Sequence, residues 1–328
     1  MKNLELLPVD KLEILVLVDN VTDSLSTNAN NVQSEWASLS AQGRLQFLSG
    51  RATCCAHHGL SLLISVSIGE EKHVLLFDTG PEGATFIRNV GILGVDFSTI
   101  EAVVLSHGHW DHAGGLVPAI ETISKMRGNN RVDCFVHPGM FAERATKRPN
   151  GELLKFEPIP NPDMLAGAGA NVVNTREPQF IADGAFYVSG EIPRLTEYEA
   201  GLPGHVRRSD DGQSWVPDPL IMDERFVSVY VKNKGQFVFS ACSHAGLVNV
   251  LTHARSIFAS VPLYGVMGGL HLSGSTEKII PETIDGLKQF DLKFVAPGHC
   301  TGWRAIGAMT QVFGEKLVPL AVGKRYVI

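Results

Sequence analysis

Cysteine is scarce in this chain: there are five in 328 residues, an odd number that includes the adjacent pair Cys54–Cys55. Such a set is a poor disulfide framework and is typical of a reducing cytoplasm. Long apolar runs are also missing, since no stretch approaches the roughly 20 apolar residues of a membrane-spanning helix. Residues 1–11 mix charged and polar side chains and lack the apolar segment of a signal peptide. We therefore expect a cytoplasmic protein without a membrane partner.

An excess of basic charge is absent as well. Lysine and arginine number 28 against 34 aspartates and glutamates, which gives a net charge of −6. Binding to nucleic acid usually requires a basic surface, so no nucleic-acid partner is expected. A hydrophobic content of 44% and a charged content of 19% are those of a globular protein. The length allows one large α/β domain or two ordinary ones.

The densest group of candidate functional side chains lies in residues 105–115. It contains four metal-ligating side chains: His107, His109, Asp111 and His112. The apolar run 101–105 before it predicts a buried strand, and residues 113–126 after it predict a helix. Side chains two apart in an extended turn share a face, so the four donors can converge on one small volume. Imidazoles with one carboxylate suit zinc, iron or manganese better than calcium, which predicts a metal site here.

Apolar strand patterns alternate with helical patterns along the whole chain, without a linker. We therefore predict one domain, 1–328. A hairpin followed by a strand and a helix in the first half recurs in the second, which predicts two sheets with helices outside. Three stretches lack clear periodicity and are predicted to be excursions from this domain: near 21–50, near 147–170, and near 198–218, where a lid is plausible.

Several predicted strands end in a side chain that can bind a metal. These residues are Asp78, His107, Glu191, Cys242 with His244, His271 and His299. The ends of strands along one edge of a sheet are where α/β folds place their sites. One buried histidine at a strand end is usually structural. Four separate strand ends that carry histidine are hard to attribute to chance in a chain with 12 histidines.

The order of these motifs resembles that of the metallo-β-lactamase fold superfamily. The run His107-Gly-His109-Trp-Asp111-His112 looks like its HxHxDH signature, Leu76–Gly80 like its first motif, and Pro297-Gly-His299 like its last. Further motifs are similar to the branch that includes the archaeal dihydropterin ribofuranosylaminobenzene phosphate synthase: Gly190–Arg194, Cys242–Gly246, Gly268–His271 and His299–Gly302. The resemblance covers essentially the whole chain. It implies an α/β fold of the αββα type, with two mixed sheets face to face and helices outside.

The resemblance also implies a site for one or two divalent metal ions, with zinc first and manganese, iron or magnesium as alternatives. It assigns as ligands His107, His109, Asp111, His112, His244 and His299. The superfamily usually has a histidine where this chain has Glu191, and a bridging aspartate where it has Cys242. Both remain candidate ligands, the alternatives being an ion pair of Glu191 with Arg194 and a buried apolar role for Cys242. Asp78 is predicted to orient a ligand histidine rather than to bind metal itself.

The predicted activity is hydrolysis of a small-molecule ester, lactone or phosphoester by a metal-activated water. Asp111 would hold the second metal, or orient that water and take its proton. His271 or His244 would protonate the leaving group, the alternative for His271 being a core histidine. Arg194, Arg207 and Arg208 are candidate phosphate ligands, the alternative being solvated surface. Two other functions stay open. One is a synthase or transferase like the pterin enzyme, and the other is a non-catalytic metal-binding regulator.

Overall fold

A computed structural model describes residues 5–29 and 31–328. Residues 1–4 and 30, which fall within the predicted N-terminal segment and the first excursion, lie outside the described residues. The strands are β1 (Pro8–Val9), β2 (Lys11–Val18), β3 (Val32–Gln33), β4 (Ser61–Ile68), β5 (Glu71–Phe77), β6 (Ala102–Val104), β7 (Val132–Val136), β8 (Arg144–Lys147), β9 (Leu153–Lys155), β10 (Ala170–Asn174), β11 (Gln179–Ile181), β12 (Phe186–Val188), β13 (His205–Arg208), β14 (Trp215–Pro217), β15 (Phe226–Val231), β16 (Gly235–Ser240), β17 (Leu263–Gly269), β18 (Phe294–Gly298) and β19 (Arg325–Val327). The α-helices are α1 (Glu35–Ala41), α2 (Gly83–Leu93), α3 (Trp110–Ala113), α4 (Leu116–Met126), α5 (Pro162–Ala168), α6 (Leu247–Ile257), α7 (Ile280–Leu287) and α8 (Trp303–Phe313).

The first large sheet has eight strands in the order β10-β7-β6-β5-β4-β2-β19-β3. Strands β4 and β5 form the predicted antiparallel hairpin. Strands β5, β6 and β7 run parallel, with Phe77 beside Val104 and Val104 beside Phe135. Because parallel strands end at the same edge of a sheet, Asp78 after β5 and His107 after β6 emerge side by side.

The second large sheet has seven strands, β11-β12-β15-β16-β17-β18 with β1 beside β15. Strands β16, β17 and β18 are parallel, with Ser240 beside Gly268 and Gly268 beside Pro297. The segments that begin at Ala241, Leu270 and His299 therefore leave this sheet at one edge. They carry the second set of predicted ligands.

The inner faces of the two sheets pack on each other. Leu62 and Leu75 of the first sheet share one buried cluster with Phe237 and Phe239 of the second. On the outer faces, α2 and α4 cover the first sheet, and α6, α7 and α8 cover the second. This arrangement confirms the predicted αββα sandwich. In the part of the chain that the structure describes, no helix combines the length and apolar character needed to cross a membrane.

The predicted excursions contain more regular structure than their patterns indicate. Strands β9, β13 and β14 lie in the stretches near 147–170 and 198–218 and join β8 in a four-stranded antiparallel sheet, ordered β14-β13-β8-β9. We call this the inserted sheet. Its strands have three or four residues, too few to display an alternation of apolar and polar side chains. The stretch near 21–50 likewise supplies α1 and the edge strand β3.

Candidate metal centre

The facing strand ends bring most of the predicted ligands into one cluster. Each group below offers ligand atoms that lie within 4.8 Å of one another. The groups are His107, His109 and His244; His107, His112 and Cys242; Cys242, His244 and His271; Cys242, His299 and Cys300; and His58, Asp111 and His299. The site is thus assembled from both halves of the chain, as the recurrence of histidine at strand ends indicates.

A buried carboxylate fixes the rings of two histidines. Asp78 Oδ2 lies 2.7 Å from both Ser106 Oγ and His112 Nδ1. Ser106 Oγ lies 2.9 Å from His107 Nδ1. Because a carboxylate only accepts, Ser106 and His112 donate to Asp78, and Ser106 Oγ accepts from His107 Nδ1. Nε2 of both histidines is therefore left without a proton, as metal coordination requires.

His299 and Asp111 meet on the opposite side of the cluster. An amide oxygen can only accept, so His299 Nδ1 donates to Asn20 Oδ1 at 3.1 Å, and His299 Nε2 lies 3.4 Å from Asp111 Oδ2. The exposed side chain of His58 reaches the same carboxylate oxygen, also at 3.4 Å. Burial lowers the pKa of His299, but the facing Cys300 and Asp111 outweigh it and raise that pKa to about 9. The negative groups here favour a bound cation.

His244 places a third imidazole beside those of His107 and His109. Both carboxylate oxygens of Glu224 accept from the backbone N–H groups of His244 and Ala245, at 2.8 and 2.6 Å. The His244 ring centroid lies 4.8 Å from that of His107 and 4.9 Å from that of His109. Both of its ring nitrogens are buried without a hydrogen-bond partner among the described residues. An unsatisfied buried nitrogen is costly, so this ring fits a metal ligand.

Burial keeps three of the imidazole rings in the cluster neutral. It lowers the pKa of His107, His109 and His244 well below the usual value of 6.5. Their lone pairs are therefore available at neutral pH without competition from protons. His112 Nε2 is likewise buried with no hydrogen-bond partner in the described structure. The donor set and its orphaned nitrogens fit a divalent metal of the zinc type.

Glu191 lies outside these groups. Its carboxylate accepts from Arg176 Nη1 at 2.6 Å and lies 3.3 Å from His137 Nε2. The alternative ion pair with Arg194 was wrong, because the Arg194 guanidinium donates instead to backbone carbonyls, including those of Ile192 and Leu220. The Arg194 guanidinium therefore stabilises its own loop instead of pairing with Glu191.

Sulfur is concentrated in the second half of the cluster. Cys242 Sγ lies 3.3 Å from His271 Nδ1 and 3.0 Å from Cys300 Sγ. All three residues follow strand ends of the second sheet, and both thiols are free. Burial raises the pKa of the Cys242 thiol. Cys300 was not predicted, although it directly follows His299.

The two remaining arginine candidates differ in position. Arg207 pairs with Asp210 at 2.8 Å and lines a cavity of about 470 Å³ that also includes Arg176 and His137. The Arg208 guanidinium lies 5.0 Å from the centre of the Trp215 ring. Arg207 therefore has space for a ligand, whereas Arg208 packs on the inserted sheet.

His205 is a site residue that the sequence analysis missed. It begins β13 of the inserted sheet, is buried, and places Nε2 3.2 Å from His109 Nε2. Its Nδ1 lies 2.7 Å from the backbone oxygen of Asp218. Burial lowers the pKa of His205 to about 4, so the ring is neutral at pH 7. It follows no predicted strand, and its residue type was its only signal.

Comparisons with known proteins agree with this geometry. Residues 58–206 match the family model described as the metallo-beta-lactamase superfamily. The chain is 29% identical over 271 residues to the 7,8-dihydropterin-6-methyl-4-(beta-D-ribofuranosyl)-aminobenzene-5'-phosphate synthase of Methanocaldococcus jannaschii, covering 82% of this chain and 89% of that one. A solved metal-dependent hydrolase of the beta-lactamase superfamily aligns with a TM-score of 0.70 at 21% identity, over 96% of this chain and 98% of that one. A metallo-beta-lactamase fold protein from Bacillus subtilis, YhfI, aligns with a TM-score of 0.52 at 12% identity, over 97% and 100%.

Proposed function

Because the chain carries a metallo-β-lactamase superfamily domain, we propose that it is a metal-dependent hydrolase of a small ester, lactone or phosphoester. The observation that carries the proposal is His244. Its ring is buried beside His107 and His109 with two unpartnered nitrogens, an arrangement that a metal ion would stabilise. The superfamily match supports the same general class of chemistry.

Two sets of residues would hold metal. His107, His109 and His244 form the first set. The second set is centred on Asp111, whose Oδ2 lies 3.8 Å from His112 Nε2 and 3.4 Å from His299 Nε2. Cys242 has ligand-bearing neighbours in both sets, His107 and His299 among them. When bound, divalent ions supply a water that is nucleophilic at neutral pH and positive charge for a substrate oxygen. We take zinc as the first candidate because the donors are mainly imidazole with one thiol, and manganese, iron and magnesium as the alternatives.

The remaining steps fall to side chains of this chain. Asp111 would orient the attacking water and accept its proton at a carboxylate oxygen. His271 lines a small cavity of about 20 Å³ together with His244 and Ser243, roughly the space of one water. Although burial opposes it, the contact with Cys300 raises the pKa of His271. A raised pKa favours the protonated form of the ring, and this form suits protonation of the leaving group.

A synthase-like transferase is the second candidate, favoured by the 29% identity with the pterin synthase over 82% of this chain. In this reaction class the metal charge would neutralise a diphosphate leaving group. Arg207 and Arg176, which line the 470 Å³ cavity, would then bind phosphate oxygens. Incubation with a phosphoribosyl pyrophosphate and an aminobenzoate, with pyrophosphate release as the readout, separates this candidate from the hydrolase.

The hydrolase proposal is tested by metal analysis followed by a substrate screen. The purified protein is loaded with zinc, manganese or iron and assayed with bis-p-nitrophenyl phosphate, lactones and thioesters. We expect metal-dependent turnover of at least one class and its loss in His109→Ala. If no loaded form of the wild type turns over any of them, the hydrolase proposal is wrong. Bound metal without turnover of any substrate would favour the regulator.

A further inference from the structure

The inserted sheet reaches the metal cluster through one buried imidazole. We propose that His205 is a positioning residue, which accepts a hydrogen bond from His109 Nε2 and so holds His109 Nδ1 free to bind metal. The inference rests on the proposed metal centre. It gives the inserted sheet a role in orienting a ligand that belongs to a different sheet.

The direction of the hydrogen bonds follows from the partner of the other His205 nitrogen. His205 Nδ1 lies 2.7 Å from the backbone oxygen of Asp218. A carbonyl oxygen only accepts, so Nδ1 carries the ring proton and Nε2 has a free lone pair. His109 Nε2, 3.2 Å away, is then the donor. The proton of His109 is thereby placed on Nε2, and its Nδ1, 3.0 Å from His107 Nε2, is left bare.

His109 depends on this contact more than its neighbours do. His107 and His112 are held by Ser106 and Asp78, which lie at the ends of β6 and β5. His109 has no such partner in its own sheet among the described residues. Within residues 5–29 and 31–328, the one hydrogen-bond partner of its Nε2 is His205, and Phe156 packs edge-on against its ring with centroids 5.2 Å apart. Phe156 directly follows β9, so the inserted sheet contacts the ring at two points.

A second contact fixes the distance between the inserted sheet and the metal-binding turn. Arg144 of β8 donates to Asp223 Oδ1 at 2.5 Å, and Asp223 Oδ2 accepts from the backbone N–H of Gly108 at 2.9 Å. Gly108 lies between the two ligand histidines, and a Cβ there would come 2.1 Å from the backbone oxygen of Met140. The metal-binding turn is therefore packed closely on the segment that leads into β8 and is tied to Arg144 of β8 through Asp223, which keeps His205 within reach of His109.

Substitution of His205 tests the proposal without using turnover. His205→Leu keeps the bulk of the side chain and removes the acceptor. His205→Gln can present its amide oxygen near the position of Nε2. Lys155→Ala, an exposed change on β9 of the same sheet, is the control. Zinc affinity is measured by competition with a chromogenic chelator, and the thermal midpoint of each metal-free protein is measured beside it.

We expect His205→Leu to weaken zinc binding by about 10- to 100-fold, the usual effect of losing a partner of a ligand histidine. The zinc affinity of His205→Gln should stay within a few-fold of the wild-type value, and that of Lys155→Ala should equal the wild-type value. Unchanged zinc affinity in His205→Leu would overturn the proposal. So would equal losses in the leucine and glutamine variants together with equally lowered thermal midpoints, because that result describes a purely structural residue.

The protonation pattern can also be read directly. Long-range ¹⁵N–¹H spectra of the metal-free wild type should show His109 protonated at Nε2, and His205→Leu should lose this preference. A wild-type His109 protonated at Nδ1 would contradict the proposal whatever the activity. Zinc binding without hydrolysis would count against the proposed reaction only. A wild type that binds no metal would remove both the proposed function and this inference.

Discussion

The two halves of the candidate metal centre are held in different ways. In the N-terminal half, residues 106–112, a carboxylate, a hydroxyl and an imidazole each fix one ligand ring through its distal nitrogen. In the C-terminal half, 242–244 with 271 and 299–300, Asn20 holds the His299 ring, but Glu224 holds only the backbone of His244. The His244 ring has no hydrogen-bond partner among the described residues, and the Cys242 thiol lies beside it. We infer that the first half is preorganised and that the His244 ring of the second half gains its final geometry from the metal.

The largest expected effect is the loss of His107, a ligand that belongs to two of the candidate metal-binding groups. His107 belongs to the group with His109 and His244 and also to the group with His112 and Cys242. His107→Ala should abolish stoichiometric zinc binding and lower turnover by about 10³-fold or more, since metal catalysis supplies several kcal/mol. His73→Ala, which removes a histidine paired with Glu101, is the control. Full zinc content in His107→Ala, measured by elemental analysis, would contradict this.

The next prediction compares the carboxylates that support each half. Asp78→Asn replaces an acceptor of His112 Nδ1, whereas Glu224→Gln changes an acceptor of backbone N–H groups. We expect Asp78→Asn to weaken zinc binding about 10- to 100-fold and Glu224→Gln to weaken it less, because only the first acts on a ligand ring. Chelator competition on both variants checks the order. A larger loss in Glu224→Gln would reverse the comparison and make the second half the preorganised one.

The third prediction concerns the sulfur of the second half. Cys242→Asp replaces a thiol, which would bind a metal as a soft thiolate, with the carboxylate that the superfamily usually has at this position. We expect the preference for zinc over manganese to fall by about 10-fold, since carboxylates suit manganese and thiolates suit zinc. The thiolate-to-metal absorption of the cobalt form should also disappear. Cys55→Ser, at an exposed thiol, should keep both properties. Cobalt spectra identical in Cys242→Asp and the wild type would mean that Cys242 is not a ligand.

Sequence reasoning reached the first half of the site more completely than the second. His107, His109, Asp111 and His112 lie in one short turn after a buried strand, so their convergence follows from local geometry alone. The ligand from the second half did not follow so directly. His244 and Glu191 were both candidates, and only the fold shows that His244 lies in the cluster and Glu191 outside it. The αββα sandwich was also predictable from local patterns, because its longer strands and helices show clear periodicity.

The missed contacts depend on tertiary structure that no local pattern reveals. His205 meets His109 across 96 residues of sequence, and its strand is too short to show an alternation. Cys300 reaches Cys242 in the cluster only because β16 and β18 both flank β17. The protonation of each ring likewise depends on partners such as Asn20, which lies 279 residues from His299. Long-range pairing therefore limits what a single sequence can predict here.

The smallest expected effect separates a hydroxyl that holds a ligand ring from one that does not. Ser106 Oγ links Asp78 to His107 Nδ1, while Ser240 Oγ bonds Ser243 Oγ at 2.7 Å. Ser106→Ala loses one hydrogen bond to the ligand, about 1 kcal/mol, which corresponds to about five-fold weaker zinc binding. Ser240→Ala, the matched change in the second half, should leave zinc affinity unchanged. Equal affinities in the two variants would show that the His107 ring keeps its orientation without the hydroxyl, and that preorganisation of the first half rests on Asp78 and His205.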